Sequence, residues 1–397
     1  MNADAFRAHV RKFFTETTPA VLGNDGSGVQ RAQSWRAALF DAGLAGFGYL
    51  PQHCGHDHPD AYAAIYAAES RRRVPREDSV FGIGVGMALP TIRDHASTSL
   101  QDRFLRPGLR GEEIWCQMYS EPGAGSDLAA LQTRAERDGD EWVVSGQKVW
   151  TSGAQHSDFA ILLARTDPDA PKHAGITMLV LPVRQDGVEV RPLRQMTGDT
   201  EFNEVFISEA RIPGDWVVGQ VNGGWSTAVA LLAHERKQTG VASMQNAENQ
   251  RSRAGRVPIP ASQLIELARQ RGRVDDPLVR QDLARLVTGE RIVNHLRQRS
   301  GIHPSIGKLW RTRQGRAAAE VAASLCFPAG PAWIGTSPPD GHEHDDYFSF
   351  HILNARGMSL GGGTDEIQRN TLGERALGLP REAGPDRNTP FRDLPKN

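Results

Sequence analysis

The sequence has no long apolar run, few cysteines and no excess of either charge. Its longest apolar stretch, around residues 176–183, is far shorter than the roughly 20 residues that a membrane-spanning helix needs. Because 46 Lys and Arg residues balance 47 Asp and Glu residues, no basic surplus points to nucleic-acid binding. The three cysteines (Cys54, Cys116 and Cys326) are distant and odd in number, which predicts no disulfide framework.

The N-terminal residues also lack the apolar core of a signal peptide. They instead place Phe6, Val10, Phe13 and Phe14 at the spacing of one helix face. The composition, with 39% hydrophobic and 23% charged residues over 397 positions, is typical of a folded protein of more than one domain. Together these features predict a soluble, cytoplasmic protein.

The apolar spacing is helical to about residue 110, and the run from Trp35 ends at Gly43, a common residue after a helix. From residue 115 the period changes to that of strands. A turn at 138–140 precedes the β-rich segment 142–149, so the two sides are expected to form a hairpin. Further short strands are predicted at 159–164, 176–183, 188–193 and 202–207, a spacing typical of a small β-barrel or sandwich.

Beyond Gly219 the helical spacing returns. A helix is expected to begin at the start signal Asp276-Pro277. Its predicted apolar stripe consists of Leu278, Leu283, Leu286, Val287, Ile292, Val293 and Leu296. Residues 246–262 predict a loop. The predicted domains are therefore helical over 1–114, β over 115–217 and helical over 218–397, with an irregular tail after Pro380.

Two stretches hold the residue types that carry chemistry. The first, residues 115–127, contains a glycine-rich turn that can bring backbone N–H groups close to an anion, or simply form a tight loop. It is followed by residues 146–153, in which the Trp150 ring beside the Ser152 hydroxyl can pack on a flat ring system, or serve as a core tryptophan.

The second stretch, residues 361–369, begins with three glycines before Thr364. Threonine caps helix N-termini, and the free N–H groups there favour a phosphate. Asp365 and Glu366 in the first turn also satisfy the helix dipole, so a plain capped helix is the alternative.

Together these stretches resemble the acyl-CoA dehydrogenase family over nearly the whole chain. The resemblance rests on Ser-Glu-Pro-Gly-Ala-Gly-Ser-Asp at 120–127 and Gly-Thr-Asp-Glu-Ile-Gln-Arg at 363–369. It implies an α+β fold with an N-terminal α-helical domain, a middle β-barrel or sandwich domain and a C-terminal four-helix bundle, with FAD between the last two. It also implies α,β-dehydrogenation of an acyl-CoA thioester, with an electron-transfer flavoprotein or similar acceptor.

The resemblance further implies roles for single residues. The flavin-binding positions are Gln117, Tyr119 and Ser120 at the isoalloxazine edge, Trp150 and Ser152 flanking the ring, and Thr364 and Glu366 beside the dinucleotide of a neighbouring subunit. Ser126 would reach the CoA part of the substrate. Because another subunit completes one of these sites in relatives, a homodimer or homotetramer is implied.

The sequence departs from the family where the usual catalytic base lies. Most relatives have a Glu immediately before the Gly-Thr, whereas this chain has Gly362, which keeps only its backbone N–H as a donor to the thioester oxygen. Isovaleryl-type and long-chain relatives carry the base on the first long C-terminal helix, and Glu235 matches that position. It follows the apolar run 228–233, where burial would raise a carboxylate's pKa toward working pH. The alternative is a surface glutamate, and His234 should point elsewhere.

A second departure concerns the arginine that reaches the partner's flavin pyrophosphate in relatives. The surrounding motif lacks its usual Phe here, and Arg269, Arg271 and Arg273 are all candidates. The segment 53–58 holds four possible metal ligands, but neighbours on one loop cannot all converge on one ion. We therefore expect no metal site.

A base on the helix and a glycine at the usual carboxylate position both open space at the thioester end of the pocket. The expected acyl group is therefore branched, cyclic or otherwise bulky. The alternative is that the glycines serve only the turn before Thr364 and that other side chains fill the space. Three alternatives stay open: a catalytically silent or flavin-poor subunit of a hetero-oligomer, a flavin oxidase or monooxygenase, and a desaturase of acyl groups on a carrier protein.

Overall fold

A computed structural model describes residues 1–23, 26–54, 60–70, 73–239, 258–299, 301–327, 345–381 and 388–395. Within these ranges the chain divides into two compact units. The first comprises Met1–Leu193, Glu201–Glu235 and Gly384–Asn397, and the second comprises Arg194–Thr200 and Arg236–Ala383.

Helices occupy the N-terminal part of the first unit. The Asn2 side chain caps the first helix by accepting a hydrogen bond from the Ala5 N–H at 2.9 Å. The described helices before the first strand are α1 Ala3–Lys12, α2 Thr18–Leu22, α3 Gly28–Asp41, α4 Pro51–Cys54, α5 Asp60–Glu69, α6 Leu89–His95 and α7 Thr98–Arg110. The predicted face of Phe6, Val10, Phe13 and Phe14 is confirmed, because all four side chains are buried.

A seven-stranded sheet follows these helices. Its strands are β1 Trp115–Met118, β2 Arg134–Asp138, β3 Glu141–Ser152, β4 Phe159–Arg165, β5 Ile176–Pro182, β6 Val188–Leu193 and β7 Phe202–Pro213. The strand order is β1-β4-β2-β3-β7-β6, and β5 pairs antiparallel with β4. The predicted hairpin across residues 138–141 is confirmed by the antiparallel pairing of β2 and β3.

Strands β4 and β5 are buried on both faces of the sheet. Ile161 and Leu163 of β4 pack with the N-terminal helices, whereas Ala160 and Leu162 of the same strand pack in a second core with β7. This alternation follows from the two-residue period of a strand. β7 runs six residues past the predicted end at Ile207, because it stays paired with β3 as far as Pro213.

Helices return after the sheet. They are α8 Gly224–Thr239, α9 Ala261–Gln270, α10 Pro277–Arg297, α11 Pro304–Cys326, α12 Asp345–Leu360 and α13 Asp365–Thr371. The predicted start of α10 is confirmed, since the Asp276 carboxylate accepts a hydrogen bond from the Leu278 N–H at 2.9 Å. The predicted loop at 246–262 lies mostly outside the described residues, but its last two positions already belong to α9.

The core of the second unit is built from α9, α10, α11 and α12, with Leu264, Leu283, Ala322 and Phe348 among its members. The predicted apolar stripe of α10 is wrong at two positions. Leu278 is 77% exposed and Ile292 is 38% exposed. Both lie off the face that Val279, Leu283 and Leu286 bury, since that face repeats every three to four residues.

The order of helical, β and helical parts is thus confirmed, and the predicted boundaries at residues 115 and 218 stay predictions. No described helix is both long and apolar enough to cross a membrane.

Candidate active site

A buried ion pair connects residues 115–127 with residues 146–153, the segment that follows them in the first chemically important stretch. The ammonium of Lys148 on β3 donates to the Glu121 carboxylate at 2.8 Å and to the Tyr119 carbonyl at 3.0 Å. The same carboxylate accepts the backbone N–H groups of Gln132 and Thr133 at 2.6 and 2.9 Å. Glu121 therefore holds both ends of the glycine-rich turn, and its role inside the chain is structural.

The charges of this pair depend on each other. Burial opposes ionisation of the Glu121 carboxyl, but the Lys148 ammonium and the hydrogen bonds outweigh burial, so the pKa of Glu121 is lowered. Burial also lowers the pKa of Lys148, against the attraction of Glu121. Removing either partner would leave the other as an uncompensated charge in the core.

The ion pair of Lys148 and Glu121 was not predicted from the sequence, although the sequence contained a signal for it. In β3 the side chains of Trp142 and Val144 face the interior, and the two-residue period places Lys148 on that same face. A lysine at an inward position needs a buried partner.

Trp150 lies on the surface of the first unit. The register between β3 and β7 shifts between Lys148 and Thr151, and this bulge holds Trp150 in the left-handed region at φ +62°. Its side chain is 56% exposed, and it meets the Phe202 ring edge-on at a centroid distance of 5.8 Å. The alternative of a core tryptophan is therefore wrong, and a strained, open aromatic plane is present beside Ser152.

The turn that contains Ser126 is exposed and tethered from one side. Gly125 has open space where a Cβ would lie, and Ser126 is solvent-exposed. The next residue, Asp127, accepts two hydrogen bonds from the Lys172 ammonium at 2.8 and 2.9 Å. The ion pair therefore holds one side of the turn, while its backbone and the Ser126 hydroxyl are exposed to solvent.

Glu235 lies on the buried side of α8. Ala228 and Leu231 occupy the same helix face at three- and four-residue spacing, and both are buried in the core that also contains Tyr119. Glu235 is half-buried at the end of this face. Burial raises the pKa of the Tyr119 phenol well above its usual value, and the negative charge of Glu235 adds to that increase. The two side chains are thus within electrostatic reach of each other.

His234 faces another direction, as predicted. Its Nε2 lies 3.2 Å from the Asp94 carboxylate at the end of α6. The two adjacent residues therefore meet different surroundings, His234 beside Asp94 and Glu235 within electrostatic reach of Tyr119.

The second unit contains the glycine turn at 361–363. Gly362 and Gly363 have φ values of +68° and +81°, a left-handed conformation that favours glycine. The side-chain amide of Gln368 donates to the Gly362 carbonyl at 2.8 Å and fixes the turn. The assignment of the Gly362 N–H as an oxyanion donor stays a prediction.

Thr364 and Asp365 anchor the helix that follows. The Thr364 hydroxyl caps α13 by accepting the Ile367 N–H at 3.2 Å. Asp365 is buried against the Lys308 ammonium at 2.7 Å, and Lys308 also donates to the Ser359 carbonyl at 3.1 Å. Glu366 remains exposed beside Arg369. The helix cap is thus present, and the predicted flavin contacts of Thr364 and Glu366 stay predictions.

The three candidate arginines differ in their contacts. Arg273 donates to the Ser324 carbonyl and to the Asp276 carboxylate, both at 3.0 Å, so it is used within its own unit. Arg269 and Arg271 are exposed. Arg269 also donates to the Glu266 carboxylate at 3.2 Å, and the choice among the three arginines as a pyrophosphate partner stays a prediction.

The histidine cluster at 53–58 lies largely outside the described residues. Within the described part, His53 is buried with its Nε2 3.0 Å from Asp102. Across the described ranges, no three His, Cys, Asp or Glu side chains are grouped to hold a metal ion.

Comparison with known proteins identifies the family. A family model described as "Acyl-CoA dehydrogenase, middle domain" matches residues 116–210. The chain is 37% identical over 408 residues to acyl-CoA dehydrogenase IpdE1 of Mycobacterium tuberculosis, with 96% of this chain and 99% of the relative covered.

Solved structures agree with this result. A protein described as "Tcur3481-Tcur3483 steroid ACAD" matches with a TM-score of 0.71 and 26% identity, covering 96% of this chain and 99% of that one. The ChsE4-ChsE5 complex from Mycobacterium tuberculosis matches with a TM-score of 0.68 and 25% identity, covering 96% and 98%. The chain is therefore an enzyme of the acyl-CoA dehydrogenase family.

Proposed function

We propose that this enzyme catalyses α,β-dehydrogenation of a bulky, ring-bearing acyl-CoA, with Glu235 as the base that removes the α-proton. The observation that carries the proposal is the position of Glu235 at the end of the buried face of α8, in electrostatic reach of Tyr119. A surface glutamate would not continue that buried face.

The described residues fit a flavin. Trp150 offers an exposed aromatic plane in a strained backbone conformation. The Tyr119 and Thr151 hydroxyls are buried and have no hydrogen-bond partner among the described residues. Buried hydroxyls usually find partners, so a ligand with polar edges beside an aromatic plane would satisfy this arrangement. Gln117, Ser120 and Ser152 would add polar contacts along the same edge.

The chain supplies the base and its surroundings. The Glu235 carboxylate takes the α-proton, the α-carbon to hydrogen bond breaks, and its electron pair forms the new double bond. When bound, FAD supplies the acceptor for the hydride that leaves the β-carbon. Because burial keeps the Tyr119 phenol neutral at working pH, this side chain can donate a hydrogen bond but does not compete as a base.

The proposal of a bulky acyl group rests on the absence of a side chain at Gly362. No side chain occupies position 362, and φ of +68° there disfavours any residue but glycine. One structural relative is described as a "steroid ACAD". These observations support a wide pocket for a ring-bearing substrate.

The substrate preference gives a direct test. We expect kcat/KM to rise from butyryl-CoA to isovaleryl-CoA to 3-cyclohexylpropanoyl-CoA, each methylene-sized step contributing about 1–3 kcal/mol. The measurement is steady-state turnover of the purified flavoprotein with an excess of an artificial electron acceptor, together with anaerobic bleaching of the flavin by each thioester. A clear preference for butyryl-CoA would contradict the wide pocket. Bleaching only by acyl groups on a carrier protein would favour a carrier-protein desaturase. Rapid reoxidation by air would favour a flavin oxidase or monooxygenase.

We also propose that the chain works as a dimer or as a tetramer of dimers. In the second unit, Leu360, Leu377 and Leu379 are exposed large apolar side chains that flank the motif at 361–369. Sedimentation of the purified flavoprotein should therefore give at least a dimer. A flavin-loaded monomer would refute this assembly. A flavin-free chain that gains flavin only with a second, different chain would identify a hetero-oligomer instead.

A further inference from the structure

The C-terminal segment returns to the loop between β4 and β5. The Phe391 N–H donates to the Ala170 carbonyl, and the Arg392 N–H donates to the Pro168 carbonyl, both at 3.0 Å. Pro390 forms an isolated bridge with Pro171. The described residues 388–395, part of the tail that the sequence predicts as irregular, are therefore docked on this loop.

Phe391 covers a buried arginine. Its ring centroid lies 3.8 Å from the guanidinium carbon of Arg165, and both side chains are buried. Burial lowers the pKa of Arg165 to about 10, against the attraction of Glu121 and Asp167. The aromatic face thus replaces water over this cation.

Arg165 in turn supports the turn that contains Ser126. It donates to the Ala129 carbonyl at 2.7 Å and to the Lys172 carbonyl at 2.8 Å. Lys172 then binds Asp127 through its ammonium. The contacts therefore run without a gap from Phe391, through Arg165 and Lys172, to the residue beside Ser126.

We propose that the segment Pro390–Asp393 is a clasp that positions the Ser126 turn for the CoA part of the substrate, with Phe391 as its main contact. This inference rests on the proposed function, and on the family resemblance, which implies that Ser126 reaches the CoA part of the substrate. A turn fixed before binding does not have to be ordered by the ligand, so loss of the clasp weakens CoA binding. Glu235 lies on another element, and turnover at saturating substrate is unaffected.

The test uses Phe391→Ala in the full-length flavoprotein. We expect KM for the acyl-CoA, and the inhibition constant of free CoA, to rise about tenfold, as for loss of one desolvated cation–π contact. We expect kcat to change less than about twofold. The matching N-acetylcysteamine thioester, which lacks most of CoA, should show no change in KM.

The matched control is Arg392→Ala on the same segment. Its ion pair with Asp169 joins two side chains that are more than half exposed, so we expect less than about a twofold change. Lys172→Met removes the ion pair with Asp127 and leaves the clasp intact. It should raise KM for the acyl-CoA but not for the N-acetylcysteamine thioester. If Phe391→Ala does not fold, Phe391→Leu, which keeps an apolar side chain but removes the aromatic face over Arg165, takes its place and should raise the same two constants.

Two results would overturn the clasp. One is an unchanged KM and CoA inhibition constant in the folded Phe391 variant. The other is an equal rise in KM for the N-acetylcysteamine thioester, which would show a structural effect only. Calorimetric titration measures the binding of free CoA without turnover. It therefore tests the clasp even if the proposed dehydrogenation fails.

Discussion

Replacing Glu235 with glutamine is expected to slow flavin reduction by the acyl-CoA by about 10²–10⁴-fold, the usual contribution of a general base. The amide has nearly the same volume as the carboxyl group, so the end of α8 keeps its packing, but it accepts no proton at working pH. Flavin content and the free energy of unfolding should stay at wild-type values. The measurement is stopped-flow bleaching of the flavin under anaerobic conditions.

His234→Gln is the matched control for this variant. It changes the neighbouring residue on the same helix, and it breaks the contact with Asp94 instead of the buried face. We expect this control to reduce flavin as fast as wild type within about threefold, since it removes one partly exposed pair. Full activity of the Glu235→Gln protein would assign the base to another residue.

The position of Glu235 shows how far the sequence could predict the site. The apolar run at 228–233 predicts a buried helix face, and Glu235 follows the buried Leu231 by one helical turn. The hairpin at 138–141 and the cap at Asp276 were predictable for the same reason. In each case a local rule of spacing, turn or capping determines the structure.

The remaining features depend on contacts between distant parts of the chain. The docking of Phe391 on Arg165 joins residues that no local pattern relates. The exposure of Leu278 depends on which neighbours pack against α10, and the sequence of one helix does not contain that information. The left-handed Trp150 follows from a register shift with β7, which a single strand cannot predict.

Replacing Lys148 with methionine is expected to destabilise the fold by about 3–5 kcal/mol, because the Glu121 carboxylate would remain buried without its cation. Lys148 is fully buried, so water cannot take its place. Glu121→Gln should cost a similar amount for the opposite reason. Urea unfolding of the flavin-free chain, followed by far-UV circular dichroism, measures both.

The pair also predicts a pH dependence. Since the pKa of Glu121 is lowered in the folded chain, its contribution to stability is complete above the unfolded pKa of about 4.3 and is lost as the pH falls through the folded value. The Glu121→Gln protein should therefore lose less stability than wild type on acidification below about pH 4.3. Unfolding curves at a series of acidic pH values give this difference.

The double variant Lys148→Met with Glu121→Gln separates charge from packing. If an unpaired buried charge causes the loss of stability, the double variant loses about 1–3 kcal/mol less free energy of unfolding than the sum of the two single variants. Recovery is incomplete, because the Gln132 and Thr133 N–H groups and the Tyr119 carbonyl lose part of their hydrogen bonding. Strictly additive losses would instead show that Lys148 and Glu121 act through separate contacts, and that the turn at 121–127 is held mainly by its backbone.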